Sequence, residues 1–319
     1  MNNVLFDIVF KRLVMGIFIL FGVSLLITLG VEALAGDVCS AMLGQAAEPS
    51  TVAACQAKLG LNDPMHVRYW HWLVNVIQGD LGTSLANNRE VSEQIGKRLG
   101  NTLYLAGTTA LFAVPIGILL GVIAALYRNS AIDYTISATT LTTISSPEFF
   151  LAYVLMAIFA VNLGWLPAIS NVSSSMSFLE RLEVSALPVA TLALITVAHM
   201  MRMTRASIVS LLASPYIEMA KLKGLTPTRI IVKHALPNAW SPIIQVVVLN
   251  LAYMIVGVVV IEVVFVYPGL GALIVDAVLN RDLPVIQGTA MVFATAYVVL
   301  FMLADVLSML ANPRLRHRR

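Results

Sequence analysis

Charged side chains are scarce in this chain. Asp, Glu, Lys and Arg make up 12% of its 319 residues, whereas a soluble globular domain carries about a quarter. The hydrophobic fraction is 59% and the mean hydropathy is +0.86. This composition excludes an ordinary soluble domain and indicates that much of the surface meets lipid.

The sequence also lacks the motifs that ATP hydrolysis and common hydrolases require. No stretch reads G-x-x-x-x-G-K-[ST], and Gly96-Lys97 has Val91 where the first glycine of a phosphate loop would stand. Neither a G-x-S-x-G elbow nor an H-E-x-x-H helix occurs. His66 and His71 are five positions apart and do not share a helix face. The chain is therefore predicted to be no enzyme, to hold no metal and to bind no ATP itself.

Long apolar runs dominate what is present. Six stretches are long and apolar enough to span a bilayer, at roughly 20 residues for each helix. Helices are expected because backbone groups in lipid must be hydrogen-bonded within their own segment, and the runs do not alternate as barrel strands do. The predicted fold class is an all-α polytopic membrane protein with six transmembrane helices. The runs cover residues 12–32, 98–128, about 133–163, 187–201, 242–261 and 283–304.

The first run has an alternative interpretation as a cleaved signal peptide. Lys11 and Arg12 would form the basic n-region, and residues 33–35 (A-L-A) resemble a cleavage site of small residues. However, the 19 uncharged residues between Arg12 and Glu32 exceed the usual apolar region of about 7–15. A retained membrane span is favoured.

Basic residues are distributed unequally along the chain. With the N-terminus inside, 13 of the 20 Lys and Arg fall on inner segments. The inner loop at 202–234 is strongly basic, with only Glu218 opposing it, and the tail 314–319 is basic as well. By the positive-inside rule, both termini are cytoplasmic. The net charge of +3 is thus a topology signal, and it gives no reason to expect a nucleic-acid partner.

This topology predicts three regions. They are an N-terminal segment with the first transmembrane helix at 1–34, an extracytoplasmic loop at 35–100, and a five-helix core at 101–319 that contains the cytoplasmic loop 202–240.

The outer loop holds both cysteines of the chain, Cys39 and Cys55. On an oxidising face they can form a disulfide, and two free thiols are the alternative. Asp63-Pro64 predicts the start of a helix that continues through Trp72, with Asn62 or Asp63 as the cap and Pro64 in the first turn. Its Trp and Tyr side chains suit a membrane interface.

The inner loop between Ser214 and Pro237 is polar, basic and rich in helix signals. Ser214-Pro215 predicts a helix start, with Ser as cap and Pro at the first position. Glu218 suits the positive end of the helix dipole, and the small Ala220 would let a partner surface approach. Gly224 would end this helix, and a second would run from Thr226-Pro227 to Leu236-Pro237. Two short capped helices would form a docking element for a soluble partner, although a basic helical inner loop without that role is the alternative.

Three carboxylates lie in or beside the apolar runs, and intramembrane ionisable groups are candidates for function. Glu148 follows Pro147, which lacks an N–H and kinks helices, so both are candidates for lining a translocation path. Glu262 precedes the turn at Pro268-Gly269 and is expected to stabilise an outer-surface fold. Asp305 is expected to pair with the basic tail or with a neighbouring helix.

The inner loop resembles a known family. Its pattern E-x-A-x-x-x-G, followed by L-P, is similar to the EAA loop of permease subunits in binding-protein-dependent ABC importers. The matching residues are Glu218, Ala220, Gly224, Leu236 and Pro237, whereas Met219 and His234 depart from the usual Ala and Ile.

Further segments narrow the resemblance to the first of the two permeases in dipeptide/oligopeptide importers. Val38 stands where that group usually has Pro after Gly36-Asp37, which makes this segment the least typical. The matching segments are Leu59-Gly60-Leu61 with Asp63-Pro64, Gly79-Asp80-Leu81-Gly82, Arg202-Met203-Thr204-Arg205, Glu262-Val263-Val264-Phe265, Pro268-Gly269-Leu270-Gly271, Arg281-Asp282 with Pro284-Val285 and Gly288, and Asn312-Pro313-Arg314-Leu315-Arg316.

The resemblance implies a type I importer permease in the bacterial cytoplasmic (inner) membrane. Such a chain pairs with a second permease, and whether that is a homologue in a heterodimer or a second copy stays open. Two cytoplasmic ATPases would bind ATP and Mg, and an extracytoplasmic binding protein would deliver dipeptides or oligopeptides. The residues implied to couple to the ATPases are Pro215, Tyr216, Ile217, Glu218, Ala220, Gly224, Leu225 and Pro237, and those implied to shape the outer face are Glu262, Pro268, Gly269 and Gly271.

The substrate and the transport class have alternatives. Nickel, glutathione, murein peptides and oligosaccharides are imported by the same scaffold in this family. An ion-coupled secondary transporter would instead need its own coupling-ion site, often with two similar halves, and the sequence contains no internal repeat. An intramembrane enzyme would need a grouped nucleophile and base, which the sequence lacks.

Overall fold

The computed structural model describes residues 2–33, 39, 43, 48–58, 60–173 and 175–311. Several sequence predictions fall outside the described residues: residues 34–35 of the possible cleavage site, Gly36-Asp37-Val38, Leu59, and the basic tail with its Asn312-Pro313 motif.

Helices account for nearly all of the described chain, as the apolar runs predict. Two π-helical segments, Met156–Asn162 and Ile231–Ala235, interrupt the regular α-helical pattern. The α-helices are α1 Asn2–Glu32, α2 Pro49–Lys58, α3 Met65–Ile77, α4 Val91–Leu126, α5 Ala131–Ser145, α6 Glu148–Leu155, α7 Phe178–Val184, α8 Ala186–Leu212, α9 Pro215–Leu222, α10 Pro227–Ile230, α11 Leu236–Val264, α12 Leu270–Leu279 and α13 Leu283–Ala311.

The six predicted spans are found in the described helices. Five of the described helices are long and apolar enough to cross a membrane, and the bent pair of α5 and α6 has the length and composition of a sixth span. These two helices meet at 105°, with Pro147 at the N-cap position of α6. The missing N–H of Pro147 stops the α5 ladder from continuing, so the kink predicted at this proline is confirmed.

Helices extend into both ends of the predicted cytoplasmic loop 202–240. Helix α8 continues to Leu212 rather than ending near residue 201, because hydropathy marks the lipid-facing length and not the helix end. The second short helix is not a separate element. It continues from Pro227 through the π segment into α11, so the helix that contains the fifth predicted span begins at Pro227 and not near residue 242.

The structure divides into two compact units. The first comprises Tyr104–Tyr267 with the described parts of Met1–Arg12 and Tyr297–Arg319. One of its core clusters includes the fully buried Phe265 and Tyr267, and another includes Ile208 and Ile243. Met200 and Met201 are buried in this unit as well.

Two glycines allow close helix packing in this unit. A Cβ on Gly121 would lie 2.7 Å from Cβ of Thr204, and one on Gly117 would lie 2.8 Å from Cβ of Met200. Gly117 and Gly121 share one face of α4 because they are four residues apart. The backbones of α4 and α8 therefore approach as at the small-residue interfaces common in membrane proteins.

The second unit comprises Leu13–Leu103 and Pro268–Ala296. Its helices are joined by buried polar contacts: Ser24 and Tyr69 share a hydrogen bond of 2.8 Å, and Gln287 donates to Thr28 over 2.6 Å. Such bonds hold helices together where apolar side chains gain little by leaving lipid.

The outer loop lies in this second unit, and Cys39 and Cys55 are joined there by a disulfide. Helix α3 begins at Met65, so Pro64 is the N-cap residue and no side chain caps the helix. The predicted cap at Asn62 or Asp63 was one or two residues too early.

Candidate functional site

Helix α9 carries the residues implied to couple to a soluble partner. Pro215 occupies its first turn as predicted, but the hydroxyl of Ser214 accepts no capping hydrogen bond. Glu218 lies in the first turn and its side chain is exposed. A carboxylate here interacts favourably with the helix dipole.

One face of α9 packs against the chain itself. Ile217 and Ala220 are buried in the cluster that contains Ile208, Ile230 and Ala235. Ala220 was expected to let a partner surface approach, and in the described chain it instead faces the neighbouring helices. Its small side chain instead lets α9 lie close to the neighbouring helices, because any larger group would have to fit into a filled core.

The opposite face of α9 is apolar and exposed. Tyr216, Met219 and Leu222 are 38%, 56% and 77% exposed, and their spacing of three places them along one side of the helix. We refer to these three residues as the exposed face of α9. An apolar patch at the end of an anchored helix is typical of a protein contact.

The end of α9 is fixed by a glycine turn. Gly224 has φ of +73°, where side chains are disfavoured. The N–H of Gly224 bonds to the carbonyl of Lys221, and the N–H of Leu225 bonds to the carbonyl of Ala220, as in a Schellman motif. Leu225 packs against the same buried cluster as Ile217. Ile217 therefore anchors the first turn of α9, and Leu225 anchors the chain just after its end.

Pro237 lies in the first turn of α11, directly after the π segment Ile231–Ala235. The side-chain amide of Asn238 donates a hydrogen bond to the backbone carbonyl of His234 over 2.8 Å. A wide π turn accommodates a proline that an uninterrupted α-helix would reject. The L-P pair therefore continues the helix instead of ending it.

Glu148 borders a cavity within the first unit. The cavity has a volume of about 550 Å³ and is lined by residues of α6, α8 and α11, among them His199, Asn250 and Tyr253. The sequence indicated Glu148 and its neighbour Pro147. It gave no signal for His199 or Tyr253, because their place on the cavity depends on how three separate helices pack.

The predicted outer-face residues are involved in packing and turns. Glu262 is fully buried, and its carbonyl accepts a 2.7 Å bond from the N–H of Tyr267. Burial raises the pKa of the Tyr267 hydroxyl, which lies outside the spans.

The second unit contains the turn that follows. Asn101 donates to the carbonyl of Pro268, and the N–H of Leu270 donates to Thr102, each over 2.8 Å. Gly269 is the N-cap residue of α12, and Gly271 is buried within that helix.

An ion pair that sequence reasoning missed lies close to the start of α5. Arg205 on α8 pairs with Asp133 through two hydrogen bonds of 2.7 Å. Asp305 was predicted to pair with the basic tail or with a neighbouring helix, and it pairs with Arg12 of helix α1 at 2.5 Å. Asp133 is a charged residue at the start of an apolar run, and this is the signal that would have suggested its pair with Arg205, because unpaired charges are costly there.

Comparison with known proteins identifies the family. The model of the binding-protein-dependent transport system inner membrane component matches residues 117–317, and that of the N-terminal part of the same component matches residues 5–106. The glutathione transport system permease protein GsiC of Salmonella choleraesuis (strain SC-B67) is 37% identical over 310 residues, covering 97% of this chain and 99% of the relative. The protein of the same name from Escherichia coli (strain K12) is 36% identical with the same coverage.

A solved structure shares the fold. One inward-facing crystal form of the MetNI methionine ABC transporter matches with a TM-score of 0.58 and 16% identity, covering 69% of this chain and 97% of that chain. This likeness concerns the fold alone. On the family match and the close relatives, the chain belongs to the family of binding-protein-dependent transport system inner membrane components, and it is a multi-pass permease subunit of an ABC importer in the bacterial inner membrane.

Proposed function

We propose that this permease imports small peptides that an extracytoplasmic binding protein delivers. It acts with a second, homologous permease as a heterodimer, and two cytoplasmic ATPases that bind ATP and Mg drive it. The relatives named for glutathione support a peptide substrate, since glutathione is itself a tripeptide. The same relatives make glutathione the first individual substrate to test.

The observation that carries the coupling role is the division of α9 into two faces. Ile217 and Ala220 anchor the helix in the core, while its exposed face is free of contacts that would bury it. A partner that binds this face and moves would carry α9 with it. Because α9 is anchored to α8 and to the start of α11 through one buried cluster, the motion would reach two spans as a rigid-body displacement.

The remaining implied residues have structural parts in this scheme. Gly224 fixes the turn that follows α9, and Pro237 fixes the start of α11. Pro147 and Glu148 line the translocation path at the break between α5 and α6. Glu262, Pro268, Gly269 and Gly271 maintain the outer ends of the spans.

Co-purification tests the proposal. The tagged chain is extracted from its native membrane in mild detergent, and the proteins that accompany it are identified by mass spectrometry. We expect a second permease and two ATPases with phosphate-loop motifs. In proteoliposomes, the purified complex should hydrolyse ATP faster when a binding protein loaded with glutathione or trialanine is added.

Two results would contradict the proposal. A chain that purifies alone, or with copies of itself only, would reject the heterodimer and the ATPase partners. Stimulation by nickel or oligosaccharides, with none by glutathione or trialanine, would reject the substrate class and leave the importer architecture in place.

A further inference from the structure

The cavity beside Glu148 lies among three helices of the first unit. Residues of α6, α8 and α11 line it, and its volume is about 550 Å³. Small-molecule sites commonly measure roughly 300–1,000 Å³ and combine apolar walls with a few polar groups. Here the walls include Leu192, Ile195 and Met254, and the polar groups include Glu148 and Asn250.

The carboxylate of Glu148 has no ion pair or hydrogen bond with another residue in the part of the chain that the structure describes. Its side chain is half-buried. By contrast, Asp133 and Asp305 both have arginine partners. A carboxylate left without a cation in a membrane span is costly, and such residues usually mark a substrate or ion pathway.

The opposing helix makes room for this carboxylate. A Cβ on Gly257 would lie 3.1 Å and 3.3 Å from the two carboxylate oxygens of Glu148. That distance is tighter than an ordinary contact, so the carboxylate of Glu148 would have to shift by a few tenths of an ångström to admit a side chain on Gly257. Glycine at this point of α11 therefore lets the carboxylate occupy the cavity wall.

The other polar groups of the cavity suit a cation as well. Tyr253 is exposed at the cavity, and the face of a tyrosine ring attracts an ammonium group. Asn250 donates its amide hydrogen to the carbonyl of Val246, which leaves its amide oxygen available as an acceptor. His199 is the other titratable side chain that lines the cavity with Glu148 and Tyr253.

We propose that this cavity binds the free amino group of a small peptide during its passage through the membrane, with Glu148 as the acceptor of the ammonium. Tyr253 and Asn250 contact the same end of the peptide. The apolar wall tolerates varied side chains, as a carrier of many peptides requires. This inference rests on the proposed peptide substrate, and it adds a specific recognition site inside the permease.

Direct binding tests the site without the selectivity of the binding protein. The complete complex with its ATPases is placed in nanodiscs, and binding of radiolabelled trialanine and glutathione is measured without binding protein or nucleotide. N-acetyltrialanine and N-acetylglutathione, which lack the ammonium group, are the matched probes. We expect saturable binding of the free peptides and at least about tenfold weaker binding of the acetylated ones, since tenfold corresponds to about one lost charge-assisted bond.

Variants separate recognition from structure. Glu148→Gln should weaken binding of the free peptides to the level of the acetylated ones, and Glu148→Asp should restore part of the difference. Gly257→Ala should also reduce the difference, because it displaces the carboxylate. Glu183→Gln changes an exposed glutamate elsewhere, and Gly107→Ala fills open space in α4, so both should bind as the unaltered complex does. Recovery of both ATPases with each variant shows that it has assembled.

The outcomes distinguish this inference from the proposed function. If the unaltered complex with its binding protein imports trialanine or glutathione, but Glu148→Gln leaves the preference for the free amino group unchanged, the site is overturned and the proposed function stands. A similar loss for free and acetylated peptides in Glu148→Gln would also overturn it, since that points to a structural role. If the unaltered complex imports neither peptide, both proposals are overturned.

Discussion

Arg205 binds Asp133 through a two-pronged ion pair, in which Nε donates to Oδ1 and Nη2 donates to Oδ2, each over 2.7 Å. The Asp133 carboxylate also accepts the N–H of Asn129 over 2.9 Å and the hydroxyl of Ser137 over 3.3 Å. Asn129 has φ of +63°, so the carboxylate holds a turn of unusual backbone geometry. The pair thus connects α8 to the turn that begins α5.

Replacing Asp133 should destabilise the permease. In Asp133→Asn the charge is lost while the shape is kept, and Arg205 is left without its partner. We expect the free energy of unfolding to fall by about 1.5–3 kcal/mol, the usual range for hydrogen bonds to charged groups. Thermal unfolding of the purified complex in detergent measures this change.

An exposed pair provides the control for Asp133→Asn. Lys97 and Glu93 form an i,i+4 ion pair at 2.6 Å with both side chains largely exposed, and exposed pairs of this kind contribute little to stability because water and salt screen the charges. Glu93→Gln should therefore change the unfolding temperature very little. Equal effects of the two substitutions would contradict the structural role given to Asp133.

Gly224 should tolerate asparagine but not valine. Its positive φ is accessible to Asn, whereas a β-branched residue there is strained by roughly 1–2 kcal/mol. Gly224→Val should loosen the end of α9 and reduce peptide uptake strongly, and Gly224→Asn should retain most of it. Uptake by membrane vesicles that contain equal amounts of assembled complex measures both. Normal uptake by Gly224→Val would show that the turn is not required.

Removing an apolar side chain from the exposed face of α9 should weaken ATPase binding. Burying a leucine contributes about 1.5 kcal/mol or more, so Leu222→Ser should weaken association about tenfold. Leu279→Ser is the matched control, because Leu279 is 75% exposed on α12 and Leu222 is 77% exposed. Titration of the permease pair with purified ATPase gives the dissociation constant for each of the two variants and for the unaltered protein. If both variants bind the ATPase as the unaltered protein does, α9 is not the contact.

The glycine contact between α4 and α8 should be sensitive to a single methyl group. Gly121→Ala places a Cβ 2.7 Å from Cβ of Thr204 and 2.9 Å from the carbonyl oxygen of Met201, so one helix must shift. We expect a loss of about 1–3 kcal/mol, as for overpacked cores. Gly107→Ala, on the same helix with nothing within 4 Å, should be neutral or slightly stabilising. Unfolding temperatures of the two variants test the difference, and similar values would contradict the close approach.

The disulfide between Cys39 and Cys55 should act as a single constraint. It closes a loop of 16 residues, for which the chain-entropy model gives about 3 kcal/mol. Cys39→Ser, Cys55→Ser and the double variant should therefore destabilise the outer segment equally. Limited proteolysis from the outer side, under non-reducing conditions, compares them with the unaltered protein. Additive effects of the single variants would mean that the sulfurs act independently.

Much of the fold was predictable because a segment in lipid must be apolar and must satisfy its own backbone hydrogen bonds, which makes it a long apolar helix. Arg12 and Glu32 bracket a run that becomes a single span, and Pro147 marks the break between α5 and α6. Local backbone chemistry also fixed Pro215 and Gly224 as the ends of α9. These features depend on the residue and its immediate neighbours, so one sequence suffices.

The face of α9 that is available to a partner was not predictable in the same way. Ile217 and Met219 are both apolar and two positions apart, yet the first is buried and the second is exposed. Which side faces inward depends on where α8 and α10 lie, and the loop sequence does not contain that information. For the same reason the sequence did not indicate that Ala220 packs in the buried cluster.

The sequence by itself determined that the chain lies in a membrane, and it determined the apolar runs, the family motif and the ends of the coupling helix. These features follow from hydropathy, charge bias and turn chemistry, which act over a few neighbouring residues. Only the tertiary structure decided that Arg205 meets Asp133, 72 positions away, and that the carboxylate of Glu148 lies opposite Gly257. Contacts between distant helices depend on side-chain shape across a packed interface, and no local pattern encodes which helix will be the neighbour.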